Sequence, residues 1–171
     1  WFPEANELGN EFNGNFSGDV RGAQRWQKYK YVIEGPDGTR FWKADPRAQR
    51  MENSSGSSII HDPGAYWWNN GGFSTPAKND QIIYELHIGT FTSPWGGVGG
   101  WRSAMDKLQY LAELGVNMIE VMPIAEFPGD RSWGYNPAQP MAPESSYGTP
   151  DEMKAVIDDA HGKVIGVIID V

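Results

Sequence analysis

At 171 residues the chain is long enough to bury a real core as one average domain or two small ones. Its 22 acidic against 14 basic residues give a net charge of -8, which opposes a phosphate backbone and excludes nucleic acid as the expected partner. Without cysteine it can form neither disulfides nor thiolate metal sites, and no stretch approaches the roughly 20 apolar residues of a membrane helix. The N-terminus lacks a basic segment followed by an apolar one, so neither signal peptide nor membrane contact is expected and the expected location is cytoplasmic. Trp1 in place of an initiating methionine reads as a cut end, as does the stop at Val171.

From Trp1 to about Asn79 the sequence is rich in Gly, Asn, Ser and aromatics and shows no sustained helical period, which predicts short strands and long turns. In "YKYVIEGPDGTRFWKAD", β-prone runs over Tyr29 to Glu34 and Thr39 to Lys43 flank a Pro-Asp-Gly turn and predict a hairpin. The Ser-rich and Gly-broken segment that follows reads as a linker laid over a neighbour, with Trp67 and Trp68 expected to fasten it.

Near residues 76 to 80 the pattern changes to apolar strands alternating with amphipathic helices, which divides the chain into 1–79 and 80–171. "IIYELHI" (Ile82 to Ile88) is the first strand. "WRSAMDKLQYLAEL" then places Trp101, Met105, Leu108, Leu111 and Ala112 on one helical face before Gly115 stops it. "NMIEVMP" (Asn117 to Pro123) is the second strand, followed by a helix with Thr149 as N-cap, Pro150 at N1, Glu152 at N3 and Gly162 as stop. "KVIGVIIDV" is a third strand, too continuously apolar for a sheet with one wet face. The order β-α-β-α-β predicts a parallel α/β sheet, whose chemistry collects where the carboxyl ends of the strands meet.

Asp170 sits at such an end, and a charge directly after Val167, Ile168 and Ile169 costs desolvation unless a partner or ligand uses it. The connection Ile124 to Gly148 leaves the same edge and far exceeds the usual ~2 to 6 residues, which suggests a function. Within it, "SWGYNPAQP" offers Trp133, Tyr135 and Asn136, and flat aromatics beside an amide suit the apolar face and hydroxyl rim of a sugar. Glu126 and Asp130 lie in that loop too, where a solvated surface carboxylate is the ordinary reading. Glu85 and Glu120 fall inside strands and read as members of a buried structural network. His61, His87 and His161 are scattered, read as structural, and predict no metal site. "PWGGVGGW" (Pro94 to Trp101) fits neither dinucleotide nor phosphate-loop patterns, so no cofactor is expected.

Taken together, "YELHIGTF", "GVNMIEVMPIAEFPGDRSWGYNP", "SYGTPDEMKAVIDDAHGK" and "VIGVIIDV" resemble the opening third of the α-amylase family barrel over about residues 80 to 171. The resemblance implies the first β-α-β-α-β portion of a TIM (β/α)8 barrel. "YKYVIEGPDG", "KADPRA" and "SSGSSIIHDP" are similar to the end of the carbohydrate-binding-like β-sandwich module that precedes the barrel in branching enzymes. By resemblance, Tyr135 stacks on the sugar at the cleavage point with Trp133 and Asn136 as neighbours, and Asp170 orients groups around that sugar. The nucleophile and the acid/base are implied to lie on later strands. The implied partner is an α-glucan (glycogen, starch or maltooligosaccharide). The implied parent activity is retaining glycosyl transfer of the 1,4-α-glucan branching type, the 171-residue piece itself being inactive. The alternatives are a maltooligosyltrehalose trehalohydrolase or other α-glucan hydrolase, and a non-catalytic glucan-binding piece.

Overall fold

In the computed structural model, which describes residues 3–93 and 96–171, the first half of the chain is built from short antiparallel ribbons. β1 (Gly9–Asn10) pairs with β2 (Phe16–Ser17). β3 (Lys28–Tyr29), β4 (Tyr31–Glu34), β5 (Arg40–Lys43) and β6 (Ser58–Ile59) follow, with β3 on β6 and β4 on β5. The β4–β5 hairpin is the one expected: the Gly35 and Thr39 backbones close it, and the Asp37 carboxylate accepts the Thr39 N–H at 3.0 Å. Among the described residues these ribbons do not join into one larger sheet.

Three parallel strands carry the second half: β7 (Ile83–Leu86), β8 (Met118–Val121) and β11 (Gly166–Ile169), with β8 in the middle. Chain order therefore runs across the sheet without reversal. Because parallel crossovers are right-handed, a monotonic order puts every helix on the same face, which is how a sheet begins to curl into a barrel rather than a doubly wound layer. The helices do lie on one face. α1 (Ile88–Phe91), α2 (Trp101–Met105), α3 (Leu108–Glu113) and α4 (Pro150–Gly162) cover Tyr84, Leu86, Ile119, Val121, Val167 and Ile169 with Trp101, Leu108, Leu111, Val156 and Ala160. Leu111 is fully enclosed, so truncating it to alanine would cost roughly 2–5 kcal/mol.

Several local expectations change in detail. The first strand ends at Leu86, because Ile88 already belongs to α1. The helix expected over residues 101–114 is divided at Asp106 and Lys107, where the Lys107 N–H reaches back only to Ala104. Its apolar face survives the break, since Trp101, Ala104, Leu108 and Leu111 are all buried. α4 has the expected capping box: the Thr149 hydroxyl accepts the Glu152 N–H at 3.1 Å and the Glu152 carboxylate accepts the Thr149 N–H at 2.7 Å. Gly162 does not stop it, however; it is the last helical residue, and Val164 takes the left-handed turn at φ 61°. Trp1, Phe2, Pro94 and Trp95 lie outside the described residues, the last two belonging to the glycine-rich segment singled out above. No helix among the described residues is long and apolar enough to cross a membrane.

Trp67, 83% exposed, does not fasten the linker to α4; polar groups further along it do. Asp158, buried in mid-helix, accepts the backbone N–H groups of Asn69 and Asn70 and the Asn69 side-chain amide at 2.8 to 3.1 Å. Burial works to raise its pKa, but these bonds outweigh it and hold the carboxyl below its ordinary value. Phe73 stacks on His161 with centroids 4.3 Å apart. Trp68 packs T-shaped on Tyr66, whose hydroxyl donates to Asp158 at 3.4 Å.

A second contact between the halves is polar. Arg25 and Arg50 both lie over the Trp26 ring, Arg25 pairs with Asp151 at 3.2 Å, and the buried His61 ring points its Nε2 at Asp151 from 3.8 Å. Burial pushes the His61 pKa below its ordinary 6.5, against the pull of Asp151. The folded chain therefore binds fewer protons here than the unfolded one, so this contribution is complete above the unfolded value of 6.5 and declines as pH falls through the lower folded value. The expected result is a urea midpoint that drops between roughly pH 7.5 and roughly pH 5.5, by more in the parent chain than in His61→Gln. Equal pH dependence of the two would contradict it.

Candidate functional site

The carboxyl edge of the sheet is where Leu86, Val121 and Ile169 end in register, so His87, Met122 and Asp170 follow one another along it. Alternation along each strand sends Leu86, Val121 and Ile169 toward the helices and Glu85, Glu120 and Ile168 to the opposite face. Asp170 is held there by its own backbone, whose N–H donates to the Val121 carbonyl at 2.9 Å. Its carboxylate accepts the Val171 N–H at 2.8 Å and the Tyr135 hydroxyl at 2.6 Å.

Tyr135 reaches Asp170 from the long second connection, which has a structure of its own. β9 (Ala125–Glu126) and β10 (Gln139–Pro143) pair antiparallel, and two buried glutamates lock their ends. Glu126 accepts the Ser145 N–H at 2.7 Å, while Glu144 accepts the Phe127 N–H at 3.0 Å and the Ser146 N–H at 2.9 Å. Burial raises the Glu126 pKa, partly offset by the Ser145 bonds and reinforced by Glu144. Glu126 is thus not the solvated carboxylate expected of it; it is a fully enclosed clamp, whereas Asp130 is exposed.

The turn at the tip of this loop is tight. Gly134 has φ +91° and packs so closely on Pro123 that a Cβ there would lie 2.0 Å from the Pro123 carbonyl oxygen. The Ser132 hydroxyl accepts the Gly134 N–H at 3.1 Å and donates to the Asn136 side chain. Asn136 therefore closes the turn, and Tyr135 stands out from it, 58% exposed. The hydrogen bond to Asp170, then burial, then the charges of Asp170, Glu85 and Glu120 raise the Tyr135 pKa, so its hydroxyl stays protonated as a donor.

Glu85 and Glu120 are in register on this same face, Glu85 exposed and Glu120 half-buried, with no hydrogen bond or ion pair among the described residues. The buried network expected of them is absent because the alternation turns both away from the helix-covered core. Trp133 is 74% exposed and borders a cleft of about 320 Å³ with His87, Thr90, Asp130, Arg131 and Ser132. The structure thus joins Tyr135 to Asp170 directly, uses Asn136 in the turn, and sets Trp133 on the adjoining cleft wall. Among the described residues no cluster of three His, Asp or Glu side chains could hold a metal ion.

Sequence reasoning missed two contributors. Glu144 carries no local signal, because its partners are 17 residues away and two residues on. His87 did carry one: it directly follows a strand at the carboxyl edge, the same position that marks Asp170.

The family described as "Alpha amylase, catalytic domain" matches residues 47–171. The chain belongs to the alpha-amylase family. The sheet and helices of its second half are accordingly part of a TIM-barrel-type catalytic domain. Among curated relatives, the 1,4-alpha-glucan branching enzyme GlgB 2 of Xanthomonas oryzae pv. oryzae (strain MAFF 311018) is 37% identical over 83% of this chain and 21% of its own length. The malto-oligosyltrehalose trehalohydrolase of Saccharolobus solfataricus is 36% identical over 96% of this chain and 28% of its own. This alpha-amylase family chain therefore spans 21% to 28% of the length of these curated relatives. A crystal structure of a candidate alpha amylase from Salmonella typhimurium superposes with a TM-score of 0.82 at 43% identity, over 93% of this chain and 26% of that one. A pullulanase from Anoxybacillus sp. LM18-11, complexed with maltotetraose, superposes with a TM-score of 0.71 at 25% identity, over 86% of this chain and 26% of that one.

Proposed function

We propose that this chain is the segment of an α-glucan-active enzyme that builds one wall of its sugar cleft, and that the enzyme is a 1,4-α-glucan branching enzyme. The observation that carries the reading is the Tyr135 hydroxyl on the Asp170 carboxylate at 2.6 Å, on the carboxyl edge of the sheet and beside an exposed Trp133. The Tyr135 ring offers an apolar face to a pyranose, while the remaining lone pairs of the Asp170 carboxylate accept hydrogen bonds from hydroxyls of the same sugar. Retaining transfer needs a nucleophilic carboxylate and an acid/base roughly 5–5.5 Å apart. The family resemblance assigns both to strands after β11, so Asp170 orients the sugar and does not attack it. We read residues 1–79 as part of a β-sandwich module with its linker and 80–171 as the start of the barrel. The change of pattern near 76 to 80 supports that division, and the contacts of Asn69, Asn70 and Phe73 with α4 support one continuous enzyme.

The near-equal identity to a trehalohydrolase, 36% against 37%, favours hydrolysis as the second reading. Amylose and a maltooligosyltrehalose, each incubated with an enzyme carrying this segment, separate the two. Transfer lowers iodine colour without new reducing ends, whereas hydrolysis releases trehalose from a maltooligosyltrehalose. Binding without either product would leave the glucan-binding reading and overturn both. The 171-residue polypeptide by itself is expected to turn over neither substrate, and measurable turnover by it would contradict the assignment of the catalytic acids to later strands.

A further inference from the structure

His87 borders the cleft beside Trp133, and its ring is bonded on both sides. Nδ1 is 3.0 Å from the Thr90 hydroxyl, and Nε2 is 2.8 Å from the Ser132 carbonyl and 2.9 Å from the hydroxyl of the buried Tyr147. A carbonyl can only accept, so Nε2 carries a hydrogen, which the Ser132 carbonyl and the Tyr147 hydroxyl both face. The Tyr147 ring stands edge-on to the imidazole with centroids 5.9 Å apart, which fixes its plane. The Ser132 that His87 holds is the residue whose hydroxyl organises Gly134 and Asn136 on either side of Tyr135.

We infer that His87 is a positioning residue for Tyr135: by donating from Nε2 to the Ser132 carbonyl it anchors the 132–136 turn to the end of β7, and so aims the Tyr135 hydroxyl at Asp170. Two anchors define that turn. Gly134 against Pro123 sets its depth, and His87 on Ser132 sets its rotation. With the second gone, Tyr135 would still be present but would sample orientations that miss Asp170. The inference rests on the reading of Tyr135 and Asp170 as glucan-contacting residues.

The test is a double-mutant cycle in an enzyme that carries this segment, read as kcat and KM on amylose. His87→Ala is expected to lower kcat/KM about tenfold, the size of one lost hydrogen bond of ~1.4 kcal/mol. His87→Gln, whose amide can reach Ser132 from the same side, should recover all but about threefold of that loss. In a Tyr135→Phe background, where the hydroxyl being aimed is already gone, His87→Ala should cost less than about twofold further. If the alanine variant folds poorly, His87→Asn takes its place, because its shorter amide serves Thr90 but stops short of Ser132. Equal losses with and without the Tyr135 hydroxyl, or a glutamine variant as impaired as alanine, would overturn the inference. Tyr135→Ala with unchanged glucan kinetics would instead overturn the site reading beneath it, so the two failures are distinguishable.

Discussion

Asp170→Ala, in an enzyme that carries this segment, lowers kcat/KM on a linear α-1,4-glucan by about a hundredfold and leaves the fold in place. A hydrogen bond to a charged group is worth roughly 1.5–3 kcal/mol, and each ~1.4 kcal/mol is tenfold in rate. The substitution removes the Tyr135 acceptor together with the remaining lone pairs of the carboxylate that meet the sugar. It spares the fold because the Asp170 backbone N–H still bonds Val121 and the side chain contributes nothing to the core. Tyr135→Phe separates the two functions of the tyrosine. It keeps the ring face but not the donor and should cost only about tenfold, with Tyr135→Ala costing more through lost stacking. Steady-state kinetics on the set, with thermal melts as control, decides the matter. An Asp170→Ala enzyme within about twofold of the parent would sink the proposed role.

Gly134→Ala is the second large effect, and its cause is steric. The added methyl carbon would sit 2.0 Å from the Pro123 carbonyl oxygen at φ +91°, so the turn cannot keep its place. Gly129 in the same loop is the internal control, because it has φ +85° but open space around its Cβ position. Gly129→Ala should cost only the conformational term of about 1–2 kcal/mol and leave glucan kinetics nearly unchanged. Gly134→Ala should cost about 3 kcal/mol or more and reduce kcat/KM at least as far as Tyr135→Ala does, since displacing the turn withdraws the whole side chain. Melting temperature and amylose kinetics measured on both variants make the comparison. If the two alanine variants behave alike, the close packing on Pro123 does not govern the site.

The His87 anchor and the Glu126–Glu144 clamp show why the site was only partly legible in the residues. Asp170 and Tyr135 could be picked out because each breaks a local expectation: a charge closing an apolar strand, and an aromatic cluster in an overlong loop. Their direct hydrogen bond could not, because it joins residues 35 apart. Glu126 was misread as solvated because nothing nearby in the chain indicates that Ser145 will come to it. Glu85 and Glu120 were misread for the opposite reason. Membership of an apolar strand suggested burial, but the pleat turns alternate residues to opposite faces.

Features that depend on neighbours along the chain are legible in the residues alone. They include the hairpin around Pro36, Asp37 and Gly38, the Thr149 capping box, the helical faces of Trp101, Leu108 and Leu111, three apolar strands, and a carboxylate at the end of the last. Each follows from backbone preference or from the period of apolar residues. Which polar groups meet is set by packing across the chain: His87 with Ser132 across 45 residues, Asp158 with Asn69 across 89, and Tyr135 with Asp170 across 35. The reason is physical. A buried or half-buried polar atom must find a partner, but which one it finds is set by how strands, helices and loops pack, and that packing is not written in any local stretch.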